Sequence, residues 1–471
     1  MMSKPIEVNP NVKNFVQSLR DIGYSFEVAV ADIIDNSITA KASIVNIYMV
    51  SEPDLIFCLF DNGSGMSESE LIESMRLATK NPLENRHPED LGRFGLGLKT
   101  ASFSQCKKLT VVSKKEGEIF AKQWDLDFIS NENKWLLKTI TNLSFIPLLN
   151  ELEKVETGTI VCWETIDRSS KSGYPETIEK LRKHLALVFH RYLDGLDRKS
   201  FKIIINNNPI KSFNPFNPNH SATQQLPLEK IEFYDSVIKV QAYILPHHSK
   251  VSQQEYELYS TEEGYIKSQG FYLYRGNRIL IYGTWWGLHK SMDAHKLVRI
   301  SIEIPNNIDE HWGIDIKKSS ARPDEKIRRD LKTIIDQVTT KGEKPFKGRG
   351  KKIEDKTVLQ FWEIVAKNNE DFKFVVNQNH PFYKDLTSDL SELQRKKLNI
   401  FLKGLQAYLP LEAIQYNLQK RPHLFKQKDI FNEDEIVALV ENLKLGGLSE
   451  EYIEELMKTE IFKNRNNPFS I

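Results

Sequence analysis

The chain has 471 residues, of which 40% are hydrophobic and 27% charged, a composition typical of a folded protein with more than one domain. Its formal net charge of +1 gives no overall attraction to nucleic acid or to an anionic membrane, so any basic surface has to be local. The start of the chain lacks an apolar signal core, and the sequence contains no apolar run of about 18 residues or more, which favours a cytoplasmic protein with no membrane partner.

The three cysteines, Cys58, Cys106 and Cys162, are widely spaced and form no CxxC pair. Disulfide frameworks and zinc sites normally need closely spaced or numerous cysteines. The sequence therefore predicts neither of them, and a reducing compartment is consistent with this pattern.

An N-terminal arm, residues 1–24, is polar and contains prolines, and a helix is predicted to follow it, with Ser25 as its N-cap. The helix contains the stretch EVAVADIIDNSITA, which is apolar enough for a core helix and yet carries Asp32, Asp35 and Asn36. Asp32 and Asn36 lie four residues apart and so share one face of the helix. Such side chains lie at an exposed edge, make hydrogen bonds in the core, or hold a ligand.

The rest of the first region, residues 25–167, mixes strands and helices. Segments 43–50 and 54–61 are rich in β-branched and aromatic residues, which predicts strands, and 68–78 has the apolar spacing of an amphipathic helix. Segment 79–98 is polar, contains proline and glycine, and is too long for a simple turn. Three more strands are predicted further along, in KLTVVSKK, GEIFAKQWDLD and TGTIVCWETI. Because helices and strands do not alternate strictly, an α+β sandwich is favoured over a doubly wound sheet.

A second region, residues 168–340, is also predicted to be α+β. Its elements are predicted in SFKIIINNNPI, KVQAYILP, GFYLYRGNRILIYG, LVRISIEIP and, as a helix, EKIRRDLKTIIDQVT. In 341–352, glycine and lysine replace the apolar pattern, which indicates a basic linker. The C-terminal region, 353–471, has almost entirely helical patterns, for example KTVLQFWEIVAKN and EIVALVENLKL.

Three further motifs of the first region carry residues suited to binding. FDNGSGM places Asp61, Gly63 and Gly65 at the end of a strand. GRFGLGLKTAS leads from glycines into a helix that carries Lys99, and TGTIVCW holds Thr159 at the entrance of a strand. Each motif alone has a simple structural explanation, because Asn-Gly suits a hairpin turn and glycines are common where loops meet helices. Their order within one mixed region, together with the polar side chains of the first helix, favours a binding site.

In this order, the four motifs resemble those of the GHKL ATPases, which include type II topoisomerase ATPase subunits, MutL-type repair proteins, heat-shock-90 chaperones and sensor histidine kinases. The resemblance extends over about residues 24–335 and is strongest to the microrchidia-like branch. GRFGLGLKTAS is similar to the glycine-rich motif of that branch, and GFYLYRGNRILIYG is similar to a strand and YRNNR-like turn in its second domain. The resemblance implies a Bergerat-type α/β sandwich over 25–167 and a transducer-like α+β domain over 168–340. The C-terminal third shows no such resemblance.

The resemblance also implies that the first region binds ATP and Mg²⁺. Asn36 would coordinate Mg²⁺ through its amide oxygen, because this ion prefers oxygen ligands. Asp61 would accept a hydrogen bond from the adenine amine, and Thr159 would hydrogen-bond around the base. Gly63 and Gly65 would let the backbone approach the base. The resemblance assigns nucleotide contacts to further residues, namely Met66, Gly92, Phe94, Gly95, Leu96, Gly97, Lys99 and Thr100.

One departure from the family concerns catalysis. Hydrolysing members carry a glutamate four residues before the asparagine, as the base for the attacking water, whereas this chain has Asp32. Aspartate is one methylene shorter, and a misplacement of about 1 Å can cost on the order of 100-fold in rate. Either the helix lies closer to the phosphate, or hydrolysis is slow and the ATP-bound state is long-lived. Histidine kinases carry an amide at this position, so the carboxylate favours hydrolysis over phosphotransfer.

Lysines are the other catalytic candidates. Lys99 would add positive charge near the terminal phosphates. HWGIDIKKSSARP resembles the transducer segment whose lysine reaches the γ-phosphate, and both Lys317 and Lys318 fit that role. The alternative is that both lysines are solvated residues before a helix. Arg275 and Arg278, which flank a Gly-Asn pair, are interpreted as turn residues.

The resemblance implies a mechanism with a moving lid. ATP would order segment 79–98, and two copies of the chain would close as a homodimer, with the arm near Tyr24 reaching the partner or covering its own domain. The expected function is an ATP-gated clamp on DNA in genome maintenance or defence, with the 341–352 linker either contacting phosphates or solvated. The alternatives are a chaperone-like ATPase that remodels a protein held by the C-terminal region, and a nucleotide switch with slow turnover.

Overall fold

The structure, a computed structural model, describes residues 11–77, 79, 96–168, 173–195, 201–261, 264–315, 317–318, 320–342, 358–366, 372–420, 433–445, 447–462 and 467–469. The chain forms two compact units: one comprises Met1–Leu245 and Tyr259–Thr339, and the other comprises Pro246–Leu258 and Thr340–Ile471. No helix in these described ranges combines the length and apolar character that a membrane span needs.

The first compact unit contains an eight-stranded sheet, counted over the described residues. Its strands are β1 Ile44–Val50, β2 Ile56–Asp61, β3 Cys106–Lys115, β4 Glu118–Asp125, β5 Lys138–Thr139, β6 Gly158–Ile166, β7 Lys202–Ile205 and β8 Asn208–Pro209. Their order is β5-β4-β3-β6-β2-β1-β7-β8, and the neighbours are antiparallel except for β1 and β7. The strands predicted in the first region are thereby confirmed.

Several of the helices in residues 1–342 pack on one face of this sheet. The helices up to residue 342 are α1 Val12–Arg20, α2 Phe26–Thr39, α3 Glu68–Met75, α4 Gly97–Phe103, α5 Leu126–Glu132, α6 Leu149–Glu153, α7 Tyr174–Val188, α8 His190–Leu193, α9 Gln253–Ser260, α10 Tyr265–Ser268 and α11 Glu325–Gly342. Apolar side chains of α2, α4 and α7 pack with those of the sheet in one core, which includes Ile33, Phe103 and Leu185. The predicted α+β sandwich is confirmed.

The strand β7 joins this sheet through parallel pairing with β1, in the register Ile44↔Lys202. From the sequence alone, the same segment, SFKIIINNNPI, is predicted to lie in the second region. Parallel strands cannot be joined by a hairpin and need a crossover connection, which in this chain includes α7. Because β1 and β7 are far apart in the sequence, their pairing could not be predicted from proximity along the chain.

The helix α2 is buried on nearly all sides. Its apolar residues Ile33 and Ile34 are buried, and so are Asp32, Asp35 and Ser37. A buried carboxylate needs hydrogen-bonding or charged partners, because its transfer out of water is costly. The polar side chains of α2 therefore have to be explained by what surrounds them.

A second sheet lies in the same compact unit. Its strands are β9 Gln224–Phe233, β10 Ser236–Ile244, β11 Gly270–Arg275, β12 Arg278–Thr284 and β13 Val298–Ile304. Their order is β12-β11-β13-β10-β9, with β11 and β13 parallel. Ile327, Leu331 and Ile335 of α11 pack in a core with side chains of this sheet. The α+β character predicted for the second region is confirmed.

The other compact unit is helical apart from one hairpin, as far as it is described. After the hairpin strands β14 Trp362–Ala366 and β15 Phe372–Val376, its helices are α12 Pro381–Ser388, α13 Glu392–Ala407, α14 Leu411–Lys420, α15 Glu433–Leu445 and α16 Glu450–Met457. The helix predicted in KTVLQFWEIVAKN is wrong, because Trp362–Ala366 is a strand. Its short run of aromatic and β-branched residues suits both structures, and antiparallel pairing with β15 decides between them.

Two cysteines contradict the expectation of no disulfide. Cys58 on β2 and Cys162 on β6 lie directly opposite each other, with Cα atoms 4.2 Å apart, and they form a disulfide. They are separated by 104 residues in the sequence, so their proximity follows from strand register, which spacing does not reveal. Cys106 is free and buried.

Candidate functional site

A cavity of about 270 Å³ lies along α2, beside the end of β2, the start of β6 and the start of α4, as its described lining residues show. It brings together most of the residues singled out in the sequence. Those that line it are Asp32, Asn36, Asp61, Gly65, Met66, Gly97, Lys99, Thr159 and Lys318. The motifs of the first region, which are dispersed along the chain, thus converge on one cavity.

Other candidates do not line this cavity. The carbonyl of Leu96 accepts a hydrogen bond from the Thr100 hydroxyl at 3.0 Å, and Thr100 is fully buried. Lys317 contacts the carbonyl of Gly23 through Nζ at 3.5 Å. Gly63 does not line the cavity, and its amide donates to Asp61 Oδ1 at 2.9 Å. Outside the described residues lie Gly92, Phe94, Gly95 and nearly all of the predicted 79–98 lid.

Asp61 provides a buried acceptor at the end of β2. Its Oδ2 accepts a hydrogen bond from the Ser37 hydroxyl at 2.8 Å, and its Oδ1 accepts one from the Gly63 amide at 2.9 Å. The side chain lines the cavity although Asp61 is only 5% exposed. Burial raises the pKa of Asp61 to about 6 against the opposing effect of both hydrogen bonds. The carboxylate is therefore ionised at neutral pH.

The glycines beside Asp61 are required by the packing of the protein itself. A Cβ at Gly63 would lie 2.8 Å from both Ala40 Cβ and Asp61 Oδ1. Gly65 has φ +61°, and its Cβ would lie 2.0 Å from the carbonyl oxygen of Lys114. The packing of the protein therefore already requires glycine at both positions, and their predicted role beside the base stays a prediction.

Hydroxyl groups fix the loop after β2 against β3 and β6. The Ser113 hydroxyl accepts a hydrogen bond from the Met66 amide at 2.8 Å and lies 3.1 Å from the Thr159 hydroxyl. Thr157 donates to the carbonyl of Gly63 at 2.7 Å. Thr159 thus lines the cavity from a fixed position. Sequence reasoning missed Ser113 because a lone serine in a strand carries no recognisable pattern.

Asp32 and Asp35 form a charged network with residues of the second region. Lys318 Nζ lies 3.1 Å from Asp32 Oδ1 and 2.6 Å from Asp35 Oδ2. Arg278 Nε lies 2.7 Å from Asp35 Oδ1, and its Nη2 lies 3.4 Å from Asp32 Oδ1. The Tyr24 hydroxyl donates to Asp32 Oδ2 at 3.1 Å. Two buried carboxylates therefore meet two cations.

The network explains how α2 tolerates its acidic residues. Burial raises the pKa of Asp32, while the nearby charges of Lys318 and Arg278 act in the opposite direction. Removing one partner from such a buried group leaves an uncompensated charge and is strongly destabilising. Both oxygens of Asp32 are engaged by Tyr24, Lys318 and Arg278.

Arg275 and Arg278 are more than turn residues, which corrects the interpretation made from the sequence. Both are 2% exposed, at the end of β11 and the start of β12. Arg275 forms a buried ion pair with Asp309, whereas Arg278 joins the network on α2. One signal in the sequence was available: Arg275 ends one strand and Arg278 begins the next, and both strands are otherwise apolar. An arginine that continues an apolar strand indicates a buried and paired charge, because unpaired charges are rarely buried.

Asn36 and Lys99 complete the Asp32 end of the cavity. The Asn36 amide nitrogen donates to the carbonyl of Asp32 at 3.2 Å, so the oxygen of this side chain remains its acceptor for a ligand. Lys99 on α4 is 3% exposed, lines the cavity, and donates to the carbonyl of Ser74 at 2.9 Å. This end therefore combines cationic and carboxylate groups with an amide.

The sequence itself matches a known family model over part of its length. Residues 24–159 match the model described as Histidine kinase-, DNA gyrase B-, and HSP90-like ATPase. This segment is therefore similar to GHKL-type ATPase domains, and the similarity supports a nucleotide as ligand. Arg278 and Lys318 lie outside the matched residues. A search of curated proteins found no match to the chain.

Proposed function

We propose that this chain binds Mg²⁺-ATP in the cavity along α2 and hydrolyses it slowly. The observation that carries the proposal is a single cavity with a buried acceptor, Asp61, near one end and the network of Asp32 and Lys318 near the other. Along α2 the lining extends from Asp32 to Ala40, about 12 Å at the helical rise per residue. That length suits a nucleotide lying along the helix.

The Asp61 end suits the adenine base. Because Ser37 and Gly63 both donate to the carboxylate, its remaining capacity is that of an acceptor, which matches the exocyclic amine of adenine. Thr159 adds a hydroxyl on the wall of the cavity. A buried acceptor of this kind discriminates against bases without an amine, since an unpaired carboxylate would remain.

The Asp32 end suits the phosphates. Lys99 and Lys318 both line it and would attract them, while the Asn36 oxygen suits Mg²⁺, which keeps most of its ligands as water and phosphate oxygens. When bound, the ion would neutralise phosphate charge. The donor set of this chain therefore fits a nucleotide-bound metal, with Asn36 as the protein ligand.

Asp32 and Lys318 would also carry out hydrolysis. Asp32 would accept a proton from the water that attacks the γ-phosphorus, as the bond from that phosphorus to the bridging oxygen breaks and releases ADP and phosphate. Lys318 contacts Asp32 at 3.1 Å, so it has to exchange this carboxylate for a phosphate oxygen. The short side chain of Asp32 and its several partners favour slow turnover and a long-lived bound state.

Comparing the two neighbouring lysines tests this function. We expect wild type to bind ATP and release phosphate, and Lys318→Met to lower turnover on the order of 100-fold, as the loss of one group that stabilises transition-state charge does. Lys317→Met is the matched control and is expected to retain wild-type turnover, because Lys317 does not line the cavity. The measurement is phosphate release beside nucleotide binding, with thermal melting as a check on folding. Wild type that binds no nucleotide, or equal losses in both variants, would contradict the proposal.

We further propose, on the resemblance to the microrchidia-like branch, that ATP closes two copies of the chain as a clamp on DNA. Lys318 supports this coupling, because a residue of the second region reaches the cavity. Light scattering should give a doubled mass with a non-hydrolysable ATP analogue, and long duplex DNA should co-elute at low salt. A mass that stays monomeric contradicts the clamp. A dimer that forms with the analogue but does not co-elute with DNA would favour a protein substrate.

A further inference from the structure

Two cations contact the carboxylates of α2, and their surroundings differ. The Lys318 side chain is 11% exposed and lines the cavity. The Arg278 side chain is 3% exposed and does not line it, so it reaches the carboxylates from within the protein. Lys318 is therefore positioned to contact a ligand, whereas Arg278 is not.

The backbone of Arg278 is fixed by the second sheet. Arg278 is the first residue of β12 and pairs with Arg275 of β11, which in turn pairs with β13. Its guanidinium presents nitrogens in a planar arrangement and keeps its charge at any ordinary pH. Two of these nitrogens lie within ion-pair distance of two different carboxylates: Nε is 2.7 Å from Asp35 Oδ1, without hydrogen-bond geometry, and Nη2 is 3.4 Å from Asp32 Oδ1.

The two buried carboxylates need at least one cation beside them when Lys318 contacts a ligand. Asp32 and Asp35 are both buried, and Lys318 contacts both of them. If Lys318 transfers to a ligand, the carboxylates lose one of their two positive partners. A buried carboxylate that loses its last partner is strongly destabilised. Arg278 keeps each of the two carboxylates paired during such a transfer.

We propose that Arg278 is a positioning residue for Asp32: it holds the Asp32–Asp35 pair from the protein interior, so that Lys318 can leave while the carboxylate that serves as base keeps its place. This inference rests on the proposed ATPase activity and assigns a role to a residue outside the matched ATPase domain. Arg278 acts through Asp32 and Asp35 rather than by touching the nucleotide.

Separating turnover from binding tests the proposal. Arg278→Gln is expected to lower kcat about 10- to 100-fold, since a base displaced by about 1 Å loses rate on that order. Its dissociation constant for a non-hydrolysable ATP analogue should stay within about threefold of wild type, because Arg278 does not line the cavity. Arg278→Lys keeps the charge but not the two-nitrogen contact, and should recover part of kcat.

Arg275→Gln is the matched control. Arg275 is equally buried, lies across the same turn, and pairs with Asp309, which does not line the cavity. Its variant should lose thermal stability and yet keep wild-type kcat in the folded fraction. The proposal is overturned if folded Arg278→Gln has wild-type kcat, if its kcat and its affinity fall together, or if Arg275→Gln lowers kcat equally.

A measurement without turnover distinguishes failure of this inference from failure of the proposed function. Melting temperatures of Arg278→Gln, Asp35→Asn and the double variant form a cycle. If Arg278 holds the pair, the double variant loses less than the sum of the single losses. If the losses are less than additive but wild type does not hydrolyse ATP, the proposed activity is refuted. Arg278 is then not a positioning residue for a base, and its contact with the aspartates is purely structural. Additive losses would overturn the inference whether or not wild type hydrolyses ATP.

Discussion

Asp32→Asn is expected to lower ATP turnover by about 100- to 10,000-fold while nucleotide binding persists, which is the usual loss when a general base is removed. Asparagine keeps the size of the side chain but cannot accept a proton from water. Asp32 accepts from Tyr24 through Oδ2 and faces Lys318 and Arg278 through Oδ1, so the amide oxygen of asparagine can still face the two cations while its nitrogen donates to the Tyr24 hydroxyl. The measurement is steady-state phosphate release beside binding of a non-hydrolysable analogue to the same samples.

The control for this prediction is Asp35→Asn. Asp35 is equally buried, lines the same cavity, and contacts the same two cations, so its variant removes the same charge from the same network. A base role for Asp32 requires a much larger loss of turnover in Asp32→Asn than in Asp35→Asn. Equal losses would mean that both aspartates act only as counter-ions, and the protein would be better described as a nucleotide-dependent switch.

Asp61→Asn is expected to weaken nucleotide binding about 10- to 100-fold and, at the same time, to stabilise the folded protein. Binding weakens because a hydrogen bond to an ionised acceptor is lost, a contribution of about 1.5–3 kcal/mol. Stability rises because ionised Asp61 is buried at 5% exposure, whereas the amide carries no charge. The amide oxygen can accept from Gly63, and its nitrogen can donate to the Ser37 hydroxyl, so both existing contacts have a replacement.

The pH dependence of this effect has a definite sign. The pKa of Asp61 is raised from an ordinary 3.8 to about 6, so between these values the unfolded chain is ionised while the folded protein keeps its proton. Wild-type stability therefore falls as pH rises through this window and stays lower above it. Above about pH 6, Asp61→Asn should exceed wild type in free energy of unfolding by about 1–3 kcal/mol, and the difference should vanish below about pH 4.

Melting curves and nucleotide titrations between pH 4 and 8 check both parts. Wild-type affinity should fall about tenfold per pH unit below about pH 6, since a protonated Asp61 is no longer a full acceptor. The remaining pH dependence of Asp61→Asn reports protonation of the nucleotide and of other groups at the cavity, Asp32 among them. A variant that is less stable than wild type at pH 7.5, or that binds ATP normally, would contradict this assignment.

Local patterns in the sequence predict much of the fold. Alternating and β-branched segments identify most strands of both sheets, although β5 and β9 are not among them, and the apolar spacing around Asp32 identifies α2. What the patterns do not contain is pairing between distant segments. The strand β7 and the opposition of Cys58 and Cys162 depend on register, and β14 is recognised only through its partner strand.

The residues of the candidate site also fall into two groups: those that a local motif identifies, and those that only contacts across the fold identify. Asn36, Asp61 and Thr159 stand in motifs with recognisable spacing, and the sequence alone singles them out. Ser37 has no such motif. Arg278 stands in the YRNNR-like turn, but that pattern does not indicate its contacts with α2, because these are set by the partners that it meets across the fold. The sequence alone also does not show which of Lys317 and Lys318 reaches the cavity. The structure brings Lys318 to the carboxylates, while Lys317 contacts the carbonyl of Gly23.

The pairing of β7 with β1 bears on how the protein can be dissected. A fragment that stops at residue 167, where the sequence suggests a boundary, would omit β7 and leave one side of β1 without its backbone partners. An exposed strand edge of this kind is a template for association with other chains. Such a fragment would tend to aggregate for reasons unrelated to nucleotide, and its inactivity would say nothing about the chemistry of the intact chain. Truncations meant to isolate the first sheet should therefore retain residues through at least Pro209, the end of β8.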